Sequence, residues 1–264
     1  MWNPSEPLTT KEKRVLAVGA IVLVLVGWSL LSGLGVVAKA KLPAPWDVGR
    51  AFLYLAWDSE RSRSLLWTAT VSSVARVVVS GVLVVAIGVP IGVLMGASPK
   101  VNAALSPMVD PFRSAPIVAV LPILVMWFGI GEQMKVIFLF SGAVVYLIPM
   151  VRDAMVAVPS SFWISARDLG ATEWEAVYYS VFPMAMPRIA DAIIVSVSVM
   201  WTYITVAEYV NAESGLGQLI QNARRFSAMD QVFVGIIVII LLALFTFAGM
   251  RTIKNWLFPW EIQV

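Results

Sequence analysis

Arg76 and Glu208 are ionisable residues set inside stretches that are otherwise apolar. An unpartnered charge within hydrocarbon costs about 3 kcal/mol or more, so such residues face a partner or water. Arg76 shares a helical face with Ser73 and Ser80, at i−3 and i+4. Glu208 closes a polar series at Ser198, Thr202 and Thr205, again at helical spacing. Two arrangements follow. The residues line a translocation pathway, with Arg76 helping to attract an anion, or Arg76 and Glu208 pair and hold two helices together while the hydroxyls bond their own backbone. The two are compatible if the pair loosens during transport.

Other chemistries lack their residues. There is no cysteine and no histidine, which removes disulfides, the usual zinc ligands and the His- or Cys-dependent triads. No Gly-x-x-x-x-Gly-Lys-Ser/Thr sequence occurs, nor any Gly-Lys pair, so the chain has no phosphate-cradling loop of that kind. A membrane enzyme would need a clustered acid/base or metal constellation, and none is visible.

The elements that must position Arg76 and Glu208 are set by composition. The 264 residues are 59% hydrophobic and only 13% charged, with mean hydropathy +0.85. A soluble domain carries roughly 25% charged residues, so lipid must solvate much of this exterior. The net charge of +3 suits loops that meet anionic lipid rather than nucleic acid. A span needs about 20 apolar residues. Six candidates result, at about 15–37, 69–96, 113–129, 134–151, 188–209 and 231–250. Lys11, Lys13 and Arg14 precede the first, which is too long for a signal-peptide core and is expected to be retained. An even count puts both termini on one side, with ten Lys/Arg there against eight on the other, Lys39, Arg61 and Arg63 among the eight.

Local punctuation adds detail. Trp46 to Trp57 reads as a short amphipathic helix, with Trp46, Trp57 and Trp67 as interfacial anchors. Gly88, Gly92 and Gly96, with Pro90 among them, form a stripe that lets another helix approach closely. The segment Arg152–Pro187 is polar and differs in kind. Ser160 is expected to cap a helix from Ser161 to Leu169, and Gly170 to end it in the left-handed conformation. Thr172-Glu173-Trp174-Glu175 is a capping box opening a second helix to about Phe182, which Pro183 and Pro187 should stop.

That segment resembles the cytoplasmic motif of binding-protein-dependent ABC importer permeases. The motif runs Glu-Ala-Ala, three residues, Gly, nine residues, an apolar residue, one spacer, Leu-Pro. Ala166, Gly170 and Pro183 match it, whereas Ile164 replaces the glutamate, Ser165 the first alanine and Phe182 the leucine. Loss of the glutamate is familiar in the branch serving nitrate, alkanesulfonates, taurine and bicarbonate. Trp127-Phe128-Gly129-Ile130-Gly131-Glu132, Ser73-Val74-Ala75-Arg76 with Gly81 and the glycine stripe, and Ala207-Glu208 followed by Gly215-Leu216-Gly217 resemble the same branch, over about 40–260. Arg113-Ser114-Ala115-Pro116 departs from it by a missing proline, and Val120 stands where the branch often has tryptophan.

The resemblance implies an all-α, type I ABC importer permease fold: one transmembrane domain over 1–264, with the first span at 15–37, the core at 69–250 and the coupling segment at 152–187. It implies a bacterial-type cytoplasmic membrane with both termini cytoplasmic. The partners would be a second permease copy, two ATPase subunits holding ATP and Mg, and an extracytoplasmic binding protein delivering a small anion. No cofactor is expected on this chain, and no nucleic acid. ATPase coupling would then fall to Phe162, Ala166, Arg167, Asp168, Gly170, Thr172, Trp174, Glu175 and Pro183, with Phe162 and Trp174 as apolar anchors and Arg167, Asp168, Glu173 and Glu175 setting polar register. Trp127, Phe128, Glu132 and the loop Asn211–Gln218 would gate the outer mouth or dock the binding protein. A permease for an uncharged or cationic metabolite is the competing reading, and a passive channel a further one, though a channel has no use for a punctuated docking segment.

Overall fold

A computed structural model describes residues 9–38, 40–57, 64–210 and 213–263. Lys39, Arg61, Arg63, Asn211 and Ala212 therefore lie outside the described residues. Helices dominate: α1 Thr10–Gly33, α2 Pro45–Ala56, α3 Leu65–Ala97, α4 Pro99–Val109, α5 Leu121–Phe128, α6 Glu132–Val156, α7 Ser160–Asp168, α8 Glu173–Ala176, α9 Phe182–Tyr209, α10 Leu216–Arg225 and α11 Met229–Leu257. Among the described residues, five stretches are long and apolar enough to cross a membrane: Lys11–Gly33, Leu65–Ala97, Glu132–Val156, Glu173–Tyr209 and Met229–Leu257. A bent pair makes up to six.

The expected third span at 113–129 covers only the second arm of that bent pair. Pro99–Arg113 and Ile117–Phe128 meet at 97°, and only Leu121–Phe128 of the expected span is α-helical. Pro107, Pro111, Pro116 and Pro122 explain the break, because each removes a donor and its ring crowds the preceding turn. Tight 3-10 turns, Asp110–Arg113 and Ile117–Val120, carry the chain around the corner.

The chain divides into two compact units. The first comprises Met1–Leu66 and Leu219–Ile236. In it, α1 opens with a capping box between Thr9 and Glu12 and presents Val15, Leu23 and Val24 outward, as a lipid-facing helix must. The Trp28 Nε1–H donates to the Pro43 carbonyl at 2.9 Å, and Ser32 Oγ donates to that of Leu42 at 3.0 Å. These bonds fix the entry into α2, whose Val48, Ala51 and Leu55 are buried at i, i+3 and i+7.

The second unit comprises Trp67–Gln218 and Ile237–Val264. Its centre is the packing of α6 on α9, with Phe138, Leu139, Leu147, Met200 and Ile204 all buried. Gly142 lets the Tyr203 ring lie on α6, where it meets Phe138 edge-on at 5.9 Å. Further along α6, the glycine stripe of α3 meets a ridge of equal period. Gly88 faces Leu147, Gly92 faces Val151 and the Ile148 carbonyl, and Gly96 faces Met155. A Cβ at Gly92 would lie 2.6 Å from that of Val151, so the two backbones are as close as only glycine allows.

Two further departures concern the polar segment. The first helix begins at Ser160 rather than after it, with Pro159 at the cap and no side chain capping it. Pro183 and Pro187 do not stop the second helix. A π-helical turn, Val177–Val181, follows α8, and the Phe182 amide bonds the Val177 carbonyl. This wider turn stands immediately before Pro183, where a regular turn would meet the proline ring and its missing donor, and Glu173–Tyr209 forms one 37-residue stretch.

Candidate functional site

Arg76 lies on α3 and is only 4% exposed. Each of its five N–H donors has a use. The Nε–H and one Nη2–H form a fork on Glu132, at 2.6 and 2.7 Å. Nη1 donates to Glu208 at 2.6 Å and to the Ser214 carbonyl at 2.8 Å. The last donor reaches Ser214 Oγ at 3.4 Å, the longest of the five. Lys135, buried on α6, closes the group on Glu132 at 2.9 Å. Two cations and two carboxylates thus balance, which removes the penalty that a lone charge would carry here.

Glu208 is completely buried on α9. Besides Arg76 it accepts from Ser73 Oγ and from the Gly217 amide, both at 2.7 Å. Ser73 Oγ in turn accepts the Leu216 amide at 2.9 Å. Glu208 and Ser73 therefore cap the first turn of α10 from two other helices, satisfying donors that a helix start leaves open. Gly215 (φ +132°) and Gly217 allow this: a Cβ on Gly215 would meet the Glu208 carboxylate.

Of the residues expected to act together, Ser73, Arg76 and Ser80 do share one buried face. Ser80 Oγ donates to the Val136 carbonyl at 3.1 Å. Arg76 and Glu208 are paired. The α9 hydroxyls do not join them. Ser198 and Thr202 bond the carbonyls of Ile194 and Val199 on their own helix. Glu208 shares its buried face with Trp201 and Ile204, while Thr202 lies on the exposed side and Thr205 is half-buried. The reason is angular: residues 202 and 208 stand about 120° apart around a helix of about 100° per residue. Glu132 was expected at the mouth with Trp127 and Phe128. Those two aromatics are 69% and 41% exposed, but Glu132 belongs to Arg76. Lys135 was not anticipated, and Ser214 was expected only as part of the Asn211–Gln218 loop. The opposite charges of Glu132 and Lys135 at i and i+3 were the available signal.

Around Gly170 the expected punctuation holds. Gly170 has φ +89°, its amide bonds the Arg167 carbonyl, and the Ala171 amide bonds that of Ala166, the paired bonds of a Schellman turn. Thr172 and Glu175 form the capping box in full. Ser180 Oγ donates to the Phe162 carbonyl at 2.9 Å and ties the second helix back to the first. Arg167 donates to the Ala171 carbonyl at 2.7 Å and lies over the Trp163 ring at 5.8 Å. Arg167 and Glu175 thus hold the elbow itself, leaving Asp168 and Glu173 as the outward charges. Ala166 and Pro183 are half-buried beneath it. Phe162, Ile164, Leu169, Trp174, Tyr178 and Tyr179 are all exposed, Leu169 by 89%. A bare apolar surface of this kind next to charge is the kind that meets another protein or the membrane.

A second cluster lies at the α4–α6 end of this unit. Arg152 binds Asp110 at 3.0 Å and Asp153 at 2.9 Å, fixing the bent pair to α6.

Residues 88–258 match the model of the family described as the binding-protein-dependent transport system inner membrane component. The taurine transport system permease protein TauC of Escherichia coli is 30% identical, over 94% of this chain and 90% of its own length. The putative aliphatic sulfonates transport permease protein SsuC of Bacillus subtilis is 28% identical, over 93% and 87%. Among solved structures, an inward-facing conformation of the MetNI methionine ABC transporter superposes with TM-score 0.66. It has 25% identity and covers 75% of this chain and 98% of the other.

Proposed function

The chain belongs to the family of binding-protein-dependent transport system inner membrane components, and from that premise we propose that it carries a small oxyanion, of the sulfonate, taurine, nitrate or bicarbonate type, into the cell. The family makes it a multi-pass permease subunit of an ABC importer, working with an ATPase and a binding protein. The observation that supports an ATP-driven cycle in this chain is the Gly170 elbow. Its apolar side chains stand bare on a frame held by its own hydrogen bonds, ready for a cleft on the ATPase.

One elbow per chain argues for two identical permeases on two ATPase subunits, with the pathway between the copies. The exposed α9 face bearing Thr202, flanked by Ser198 and Thr205, is our choice for its lining. Both termini and the elbow would lie in the cytoplasm, where the partner ATPase supplies ATP and Mg. The substrate class rests on the names of the relatives, taurine and aliphatic sulfonates. The test is uptake by the importer reconstituted with its ATPase and binding protein. ATP-dependent accumulation of a sulfonate, blocked by Gly170→Val without loss of assembly, is the expected result. Accumulation of only a neutral or cationic compound, or flux without ATP, would refute it.

A further inference from the structure

The two carboxylates on Arg76 are not equivalent. Glu208 is sealed and caps α10, whereas the Glu132 side chain is 61% exposed. Glu132 covers the Nε/Nη2 edge of the guanidinium, and this edge opens onto a cleft of about 460 Å³ with Ser72 and Ser214 at its rim and Val79 and Val136 as walls. We propose that this edge is an oxyanion subsite and that Glu132 is its built-in occupant, displaced when a sulfonate arrives.

The geometry carries the exchange. A guanidinium edge takes any two oxygens spaced like those of a carboxylate, and a sulfonate presents such a pair. Its third oxygen would face Ser214 Oγ, which at 3.4 Å makes the weakest contact Arg76 has. Ser214 Oγ now donates to Ser72 Oγ at 2.9 Å, and Ser72 Oγ donates to the Thr68 carbonyl at 2.9 Å, so it is the Ser214 hydroxyl that would turn to the anion. Displacement strands no charge. Arg76 keeps Glu208, and Glu132 keeps Lys135 at 2.9 Å. A cation gains nothing from the guanidinium edge, which only donates. The subsite rests on the oxyanion reading above and gives it an address on the chain.

Two variants at the exposed Glu132 test it in the importer assembled in nanodiscs. Glu132→Gln keeps the shape of the occupant and removes its charge. Methanesulfonate, titrated calorimetrically, should then bind about tenfold tighter, the scale of one lost charge-assisted competitor. Unchanged affinity overturns the proposal. Because the chain contains no cysteine, Glu132→Cys supplies a single reactive thiol on this subunit. An anionic, sulfonate-bearing thiosulfonate reagent should modify it faster than a cationic one of equal size, and methanesulfonate, but not methylammonium, should slow the reaction. A faster cationic reagent, or no protection, also overturns it. Uptake separates the two claims. ATP-driven sulfonate uptake alongside an indifferent Glu132 removes the subsite and leaves the permease reading, whereas uptake of cations alone removes the reading itself.

Discussion

Glu208 shows how a buried carboxylate can be structural. It accepts from Ser73, Arg76 and the Gly217 amide with no exposure. Glu208→Leu should lower the stability of the permease by about 3 kcal/mol, since it leaves Arg76 short of a partner and uncaps α10. Arg76→Met combined with Glu208→Leu should cost less than the sum of the two single changes, because the removed groups are each other's partners. Thermal unfolding in nanodiscs measures both. Strict additivity would show that the pair contributes nothing jointly. Arg76 and Glu208 were legible in the sequence as charges in apolar helices. Glu132 was legible only as a residue near a span end, because nothing local reveals that it folds back onto a residue 56 positions earlier. The α9 hydroxyls read as companions of Glu208 because helical spacing was followed along the chain but not around it.

Helices and their ends were read with uneven success, for physical reasons. Gly170, the Thr172 capping box and the glycine stripe obey rules a few residues long, and each stands where those rules put it. The bend between α4 and α5 was missed because hydropathy is blind to proline. Pro183 and Pro187 were taken as stops because the π-helical turn that accommodates them has no local signature. Two glycine replacements should separate packing from backbone conformation. At Gly92 a methyl group would meet Val151 and the Ile148 carbonyl, so Gly92→Ala should cost about 1–3 kcal/mol and reduce the yield of folded permease. At Gly170 nothing lies within 4 Å, so Gly170→Ala carries only a left-handed strain of about 1–2 kcal/mol. Its folded yield should stay near normal while ATP hydrolysis in the assembled importer loses its link to uptake. Equal yields for the two variants would contradict this division.

At the scale of the molecule, orientation can be read from two exposed side chains and the absence of cysteine. Leu169, at the elbow, is 89% exposed, and Ile130, between α5 and α6, is 56% exposed. In intact cells an impermeant thiol reagent should modify Ile130→Cys and spare Leu169→Cys, with the reverse in inverted vesicles. Labelling of Leu169→Cys from outside would invert the proposed topology and exclude the elbow as an ATPase contact.

The unbroken helical stretch Glu173–Tyr209 has a mechanical consequence. At about 1.5 Å per residue it is a rod of about 55 Å, with Trp174 at one end and Glu208 near the other. A stroke delivered to Trp174 need not pass through a relay of loops. It can arrive as a lever movement at the far end, where Glu208 grips Arg76 and the first turn of α10. With the ATPase docked at Trp174 as proposed, the motor's work and the hold on that guanidinium would be two ends of one beam, and softening the beam at Val177–Val181 should shorten the stroke without touching either grip.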